Sequence, residues 1–292
     1  MRSGFVSIIG RPNVGKSTLL NKLVNYHVAI TSDKAGTTRN VIDGIYTDND
    51  SQIVFVDTPG INKPIDKLGK VLNKQSLSQQ KEVDSIILVV DAKGGLGRGD
   101  REIINSLNKD IPTILVLNKI DKLDKEELIK RIVEYQELFD FSEIIPLSAL
   151  SGENIEELIK TVKKYLTDDL KYFSDDAITS SSTRFLISEY VREKLFNNLE
   201  EEIPHAITCV TTNYEETEHL AKVNVDIIVD RESLKKIIIG SKGAMLKNVG
   251  SEARQEIEKL VGKKVYLELY VKCIPNWRDK EFVLKDLGFY DF

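Results

Sequence analysis

Residues 10 to 17 read Gly10-Arg11-Pro12-Asn13-Val14-Gly15-Lys16-Ser17, with Thr18 next in line. The octet is an instance of G-x-x-x-x-G-K-[ST]. The apolar stretch Phe5–Ile9 precedes it and helical spacing over Lys16–Asn25 succeeds it, so it lies between a buried strand and a helix. That is the setting its chemistry needs. The glycines let backbone N–H groups turn inward around phosphate oxygens, and the helix N-terminus adds positive potential. Lys16 is placed to reach β and γ phosphates, and Ser17 to give its hydroxyl oxygen to Mg²⁺. A glycine-capped loop with a solvated lysine would account for the octet alone, but less well for its strand-and-helix setting.

Beyond the octet, short aliphatic runs alternate with longer amphipathic stretches. Ile53–Val56, Ile86–Val90, Ile114–Leu117 and Ile144–Leu147 have the length and composition of strands buried on both faces. Helical spacing spans Asp66–Lys81, Arg98–Asn108, Lys125–Phe139 and Glu153–Tyr165. The alternation predicts an α/β domain over residues 1–167, with a mostly parallel sheet and helices on both faces. Asn40–Thr47 alternates apolar and polar residues and suits an antiparallel edge. Residues 168–182, rich in Asp and Ser, read as a solvated linker. An α+β domain is expected over 183–292. Its elements are a helix over Arg184–Leu199, strands at Ala206–Thr212 and Lys222–Val229, two helices flanking Gly240-Ser241-Lys242-Gly243, a strand at Val265–Lys272 and a short terminal helix.

A chain of 292 residues suits two domains. With 41% hydrophobic and 30% charged residues it is neither collagen-like, low-complexity nor wholly disordered. The longest aliphatic run, Ile86 to Val90, has five residues, where a membrane span needs about 20. Met1-Arg2-Ser3-Gly4 does not read as the start of a secretory signal, so none is expected. Two cysteines, Cys209 and Cys273, fit a reducing cytoplasm. His27, His205 and His219 stand far apart, which argues against zinc. The net charge of −5 argues against a polyanion binder as a whole, yet Lys and Arg outnumber Asp and Glu between Arg231 and Lys285.

Three strand ends carry further chemistry. Asp57-Thr58-Pro59-Gly60 closes Ile53–Val56, which puts Asp57 near the phosphate loop as a Mg²⁺ ligand through water, and lets Gly60 offer its N–H to a γ phosphate. Asn118-Lys119-Ile120-Asp121 closes Ile114–Leu117. The Asp121 carboxylate can accept from N1 and the exocyclic amine of guanine. Adenine has neither donor and would leave that charge unpaired, so the base implied is guanine. Lys119 would lie along the ring and Asn118 would tie this loop to the phosphate loop. Ser148-Ala149-Leu150 closes the next strand, where a backbone N–H can meet the guanine oxygen. In Ala35-Gly36-Thr37-Thr38-Arg39, one threonine of the pair can bind Mg²⁺ and sense the γ phosphate. Thr38 is preferred, with a pair of solvated loop threonines as the alternative.

The ordered set GRPNVGKS, TT, DTPG, NKID and SAL resembles the translation-factor-related GTPases, with the spacing of the group that holds the Era, Der and tRNA-modifying GTPases. It covers residues 1–167. One departure from the Ras-like pattern bears on mechanism: where a glutamine orients the attacking water there, this chain has Ile61. The resemblance implies a hydrophobic substitution at this position and, in some members, a potassium ion held by the phosphate-loop asparagine, which is Asn13 here. Such a cation would supply transition-state charge.

Ile239-Gly240-Ser241-Lys242-Gly243 resembles the G-x-x-G loop of a KH domain, and the order of elements resembles the bacterial KH topology. Two glycines bring backbone close to nucleic acid phosphates, Lys242 adds charge, and neighbouring aliphatics offer a floor for unpaired bases. Lys235, Lys236, Lys247 and Arg254 cluster nearby. The alternative is a helix-capping glycine pair on a solvated face. Trp277 beside Arg278 can stack on a base or sit packed under the terminal helix.

A GTPase domain followed by a KH domain resembles the Era family over nearly the whole chain. The resemblance implies a GTP-hydrolysing switch that recognises single-stranded 16S rRNA near its 3′ end. It further implies action in small (30S) ribosomal subunit assembly, by a monomer that is cytoplasmic or loosely held on the inner membrane. A signalling GTPase whose C-terminal domain docks protein or membrane is the alternative.

Overall fold

The aliphatic runs form the strands and the amphipathic stretches the helices. In the computed structural model, which describes residues 1–32, 34, 36–61, 64–78 and 83–289, contacts divide the chain into two units. One comprises Met1–Pro64 with Gly69–Ser180, the other Ile65–Leu68 with Ser181–Phe292.

The first unit is a six-stranded sheet. Its strands are β1 (Arg2–Ile9), β2 (Ile42–Thr47), β3 (Ser51–Asp57), β4 (Ser85–Asp91), β5 (Thr113–Asn118) and β6 (Glu143–Pro146). They lie in the order β2-β3-β1-β4-β5-β6, parallel except for the antiparallel edge strand β2. Helices α1 (Lys16–Val24), α2 (Lys67–Ser78), α3 (Arg98–Asn105), α4 (Lys125–Gln136) and α5 (Ile155–Lys163) alternate with the strands. The far end of the helix expected over Asp66–Lys81 falls on Lys81, outside the described residues. Because β3, β1, β4 and β5 are covered on both faces, nearly every side chain along them is buried, including Val6, Ile8, Val54, Phe55 and Ile86 through Val90. The chain leaves β1 for β3 on one side and later returns to β4 on the other. Their carboxyl ends diverge there and open the crevice in which such sheets hold ligands.

The stretch expected to be a solvated linker, 168–182, belongs largely to this unit. Asp168 and Ser3 exchange backbone hydrogen bonds of 2.8 and 3.1 Å, and Ser3 Oγ donates to the Leu170 carbonyl at 2.5 Å. The buried Gln52 side chain accepts from the amides of Tyr172 and Phe173 and donates to the Phe173 carbonyl. Farther along, Ile45 on β2 donates to the Ile178 carbonyl at 2.8 Å and Ser180 Oγ to Asp43 at 2.7 Å. A sheet edge presents unpaired backbone groups, and this segment satisfies some of them. Its polar composition reflects that task as much as solvation.

The second unit comprises α6 (Thr183–Asn198), β7 (Ile207–Glu216), β8 (Leu220–Val229), α7 (Glu232–Ile239), α8 (Ala244–Val261), β9 (Lys264–Cys273) and α9 (Glu281–Asp286). Its sheet has the order β7-β8-β9, antiparallel between β7 and β8 and parallel between β8 and β9. Trp277 is fully buried, donates its indole N–H to the Ala206 carbonyl at 3.0 Å and stacks on Phe289. Of its two readings, it takes the packed one. Both cysteines are free thiols, and no helix among the described residues is long and apolar enough to cross a membrane.

Replacing Gln52 by Leu keeps the volume but leaves two amides and one carbonyl of the 172–173 segment without their partner. We expect a loss of about 3 kcal/mol in urea-unfolding free energy. Hydrogen exchange at Tyr172 and Phe173 should accelerate more than at β1; uniform acceleration would contradict a local tether.

Candidate nucleotide and RNA sites

The phosphate end of the first unit is built on two buried side chains of opposite charge. Lys16 is 6% exposed, and its ammonium donates to the carbonyls of Gly10 (3.2 Å) and Arg11 (3.0 Å). Burial lowers its pKa, and the Asp57 carboxylate partly opposes that. Asp57, the last residue of β3, is fully buried. Burial pushes its carboxyl up to about 6, against the pull of the Lys16 ammonium and the Ser17 hydroxyl. Ser17 Oγ donates to Asp57 Oδ2 at 2.7 Å and stands 2.7 Å from Thr38 Oγ1. Thr37 instead donates its hydroxyl to the Lys34 carbonyl. Of the threonine pair, it is therefore Thr38 that joins Ser17 and Asp57. Asp57 Oδ1 is buried with no hydrogen-bond partner.

A buried carboxylate oxygen without a hydrogen-bond partner suits a cation. Three oxygens, from Ser17, Thr38 and Asp57, converge on one spot, and no group of three or more His, Cys, Asp or Glu among the described residues could hold a metal alone. The set fits Mg²⁺, which keeps several waters and takes few protein ligands beside substrate phosphates. Asn13, Thr18 and Gly60 line the same cleft. The Asp57-Thr58-Pro59-Gly60 turn is pinned to its neighbours. Thr58 Oγ1 donates to the Ile8 carbonyl, Ser76 Oγ to the Pro59 carbonyl, and the Ile61 amide to the Gly10 carbonyl. Ile61 packs against the apolar cluster around Ile9, Ile86 and Leu88.

At the base end, Asn118 holds the loops together. Its Nδ2 donates to the Val14 carbonyl at 2.8 Å, and its Oδ1 accepts from the amides of Lys119 (2.8 Å) and Ala149 (3.0 Å). The contact is so close that a Cβ on Gly15, at φ 99°, would lie 2.3 Å from Asn118 Nδ2. Asp121 is exposed, and Ser148 Oγ donates to its Oδ1 at 2.6 Å. The Ser148 amide goes to the Glu153 carbonyl and that of Ala149 to Asn118. Of the Ser148-Ala149-Leu150 amides, Leu150's is thus the one with no protein acceptor among the described residues.

Two acidic residues here went unread in the sequence. Asp100, 2% exposed on α3, accepts from Arg11 Nη1 at 3.0 Å and from the Gly97 amide at 2.8 Å. The Arg11 side chain is therefore engaged by α3, and what it offers a phosphate is its backbone. Asp91, at the end of β4, meets Lys119 at 2.7 Å. The signal for Asp91 was available: it ends a buried strand, as Asp57 and Asn118 do. No such pattern pointed to Asp100.

In the second unit, Gly240 (φ 73°), Lys242 (φ 50°) and Gly243 (φ 79°) make a left-handed turn between α7 and α8. A Cβ on Gly240 would lie 2.8 Å from that of Met245. Ser241 and Lys242 are exposed at the tip. No side chain caps α8, and the amide of its first residue, Ala244, donates to the Ser241 carbonyl. Beside the turn runs a groove of about 450 Å³, with Lys247, Ser251 and Arg254 on α8 along one wall and Val265, Leu267 and Leu269 of β9 along the other. The apolar floor thus comes from β9 and Leu246, whereas Ile238 is buried in the core and Ile237 is exposed. Lys235, Lys236 and Ile239 lie on α7, outside the lining of that groove. The basic stripe Lys247–Arg254 over an apolar floor suits single-stranded nucleic acid, whose phosphates and bases need those two surfaces.

Comparison with known proteins finds both domains. A family model described as a 50S ribosome-binding GTPase matches residues 5–119, and a KH-domain model matches residues 202–278. The chain is similar to the crystal structure of an Era variant from Aquifex aeolicus bound to GDP and AlF₄⁻, with 41% identity, TM-score 0.95 and coverage of 99% of both chains. It is equally similar to Era in complex with MgGDPNP and nucleotides 1506–1542 of 16S ribosomal RNA, with 41% identity, TM-score 0.96 and 99% of both chains covered.

A carboxyl that titrates near 6 makes cation binding pH-dependent with a definite sign. Above about pH 6 Asp57 is ionised and free to bind; as the pH falls through that value, protons compete. Apparent Mg²⁺ affinity of the nucleotide complex should drop about tenfold per unit below pH 6. Titrating Mg²⁺ against a fluorescent guanine nucleotide checks this. The Asp57→Asn variant should bind weakly and lose the step, and any pH dependence it keeps belongs to the nucleotide.

Proposed function

Because this chain belongs to the Era family of GTPases, we propose that its first unit is the GTP-driven switch and its KH domain the reader of single-stranded 16S rRNA near the 3′ end, acting in 30S subunit assembly. The enzyme hydrolyses GTP to GDP and phosphate. The observation that carries the reading is the division of labour along one sheet edge: Lys16, Ser17 and Asp57 stand at the phosphate end, and Asp121 with Ser148 at the base end.

The residues act by positioning and by charge. Lys16, now bonded to the Gly10 and Arg11 carbonyls, exchanges those partners for β and γ phosphate oxygens. Ser17, Thr38 and Asp57 would hold Mg²⁺. Bound there, the cation neutralises charge shared by the β and γ phosphates. The backbone N–H of Gly60 is offered to the γ phosphate. No protein nucleophile is needed: water attacks the γ phosphorus, the bond from that phosphorus to the β–γ bridging oxygen breaks, GDP departs with that oxygen, and the protons of the water pass to the phosphate and to solvent. The Ile61 side chain has no polar atom with which to orient that water, so intrinsic turnover is slow. Asn13, with a neutral amide oxygen on the rim of the cleft, is our candidate ligand for potassium, which would add positive charge in the transition state. Equal turnover in sodium and potassium at matched ionic strength would remove this part of the proposal.

In the second unit the exposed tip at Ser241 and Lys242 meets the backbone while the groove of Lys247 and Arg254 takes bases over Leu267 and Leu269. The relative that holds nucleotides 1506–1542 supports 16S rRNA as the ligand. The free thiols suit a cytoplasmic setting. Action as a monomer and loose association with the inner membrane are part of the same proposal.

Two outcomes test the reading. Calorimetry should give GTP binding and no comparable ATP binding, and Asp121→Asn should cost roughly a hundredfold in GTP affinity while xanthosine triphosphate gains. A retained guanine preference in that variant removes Asp121 from base recognition. Double replacement of Ser241 and Lys242 by Asp should weaken binding of a 3′-terminal 16S oligonucleotide by about tenfold or more and flatten its salt dependence. Unchanged binding would favour a protein- or membrane-docking module in place of an RNA reader.

A further inference from the structure

Lys119 reaches across the base end with a long flexible side chain, yet its ammonium already has two fixed partners. It donates to Asp91 Oδ2 at 2.7 Å and to the Asn13 carbonyl at 2.7 Å. Sheet register explains the first contact. Asp91 is the last residue of β4 and lies opposite Asn118, the last of β5, so the residue after Asn118 emerges beside the Asp91 carboxylate. The Ala92 amide closes the same corner by donating to the Asn118 carbonyl at 3.0 Å.

Asp91 is itself immobilised. Its Oδ1 accepts from the amides of Lys93 (3.0 Å) and Gly94 (3.1 Å), which leaves Oδ2 for Lys119. Burial alone would push this carboxyl up; the Lys119 ammonium and the two amides outweigh it and hold it below the usual carboxylate range. Both side chains are less than a third exposed, at 27% for Lys119 and 29% for Asp91, so the attraction is screened less than at an open surface. Lys119 also starts from a left-handed backbone (φ 67°), which aims its side chain back over the phosphate loop.

We propose that Asp91 is a positioning residue for guanine-nucleotide binding: its carboxylate fixes the Lys119 ammonium, which spans to the Asn13 carbonyl and so locks the base-reading loop to the phosphate loop before ligand arrives. The proposal rests on the guanine-nucleotide reading of the site. A side chain that is ordered in advance loses less freedom on binding, and a stem laid flat presents its methylenes to the purine face. The gain is in ground-state binding, shared by GDP and GTP, and not in the chemical step.

The test uses the full chain, with Asp91→Asn and Asp91→Ala. The Asn variant keeps an oxygen for the Lys93 and Gly94 amides and so guards against a simple loss of the turn. We expect the GDP dissociation rate, followed with a fluorescent analogue, to rise roughly tenfold in the Ala variant and less in the Asn variant. KM for GTP should rise in step while kcat at saturation stays within about twofold. The deciding measurement is the double-mutant cycle with Lys119→Met. If Asp91 acts through Lys119, adding Asp91→Ala to Lys119→Met changes the dissociation rate by less than about twofold. Losses that simply add, or a kcat that falls with KM unchanged, overturn the proposal. Unaltered GDP dissociation in both single variants overturns it too, and leaves the guanine reading intact so long as the parent protein binds GDP. Failure of the parent protein to bind GDP would defeat that reading as well.

Discussion

The first unit depends on one buried carboxamide. Asn118 donates to the phosphate loop at Val14 and accepts from the amides of Lys119 and Ala149, while its own carbonyl accepts from Ala92 at the end of β4. At 2% exposure these groups have no water to turn to, and each one left unmade would cost about 1–3 kcal/mol. Three segments far apart in sequence, at Val14, Ala92 and Ala149, are therefore held at hydrogen-bond distance from one residue. The absence of a side chain on Gly15 is part of the same constraint, because nothing larger fits against the Asn118 amide.

Against that satisfied frame, the phosphate end carries the opposite character. Lys16 and Asp57 are buried deeply enough that their pKa values move toward neutrality, and one Asp57 oxygen has no partner. Such a site is poor as internal structure and good as a receptor: anionic phosphates and a divalent cation supply the partners the protein withholds. The rigid frame makes this possible, since a flexible loop would relax to satisfy its own charges. Asp91 and Asp100 extend the frame, one fixing Lys119 and the other Arg11.

Much of this was legible in the chain. The octet, DTPG, NKID and SAL all end buried aliphatic strands, and strand ends on one side of a parallel sheet must converge, so the sequence alone placed Lys16, Asp57, Asn118 and Ser148 together. The KH turn was legible for a related reason: Gly240 and Gly243 both adopt a left-handed backbone that other residues rarely tolerate. Three features were not legible. Gln52 in β3 holds a segment some 120 residues later through its side-chain amide, and nothing local to either partner encodes that match. The Asp168–Ser180 stretch looks solvated because strand-edge capping and solvation call for the same polar residue types. The floor of the RNA groove comes from β9 rather than from the aliphatic run at Ile237–Ile239, since helix phase turns Ile238 into the core and leaves Ile237 outside.

The sequence by itself determined which chemical groups exist and on which kind of element each sits, because periodicity, glycine placement and strand-ending motifs are local properties of the chain. Only the tertiary structure decided which groups meet: Thr38 rather than Thr37 with Ser17, Asp91 with Lys119, Arg11 with Asp100, Trp277 with Ala206. Those pairings are set by sheet register and by competition for buried hydrogen-bond partners, and both arise only when distant segments are packed against one another.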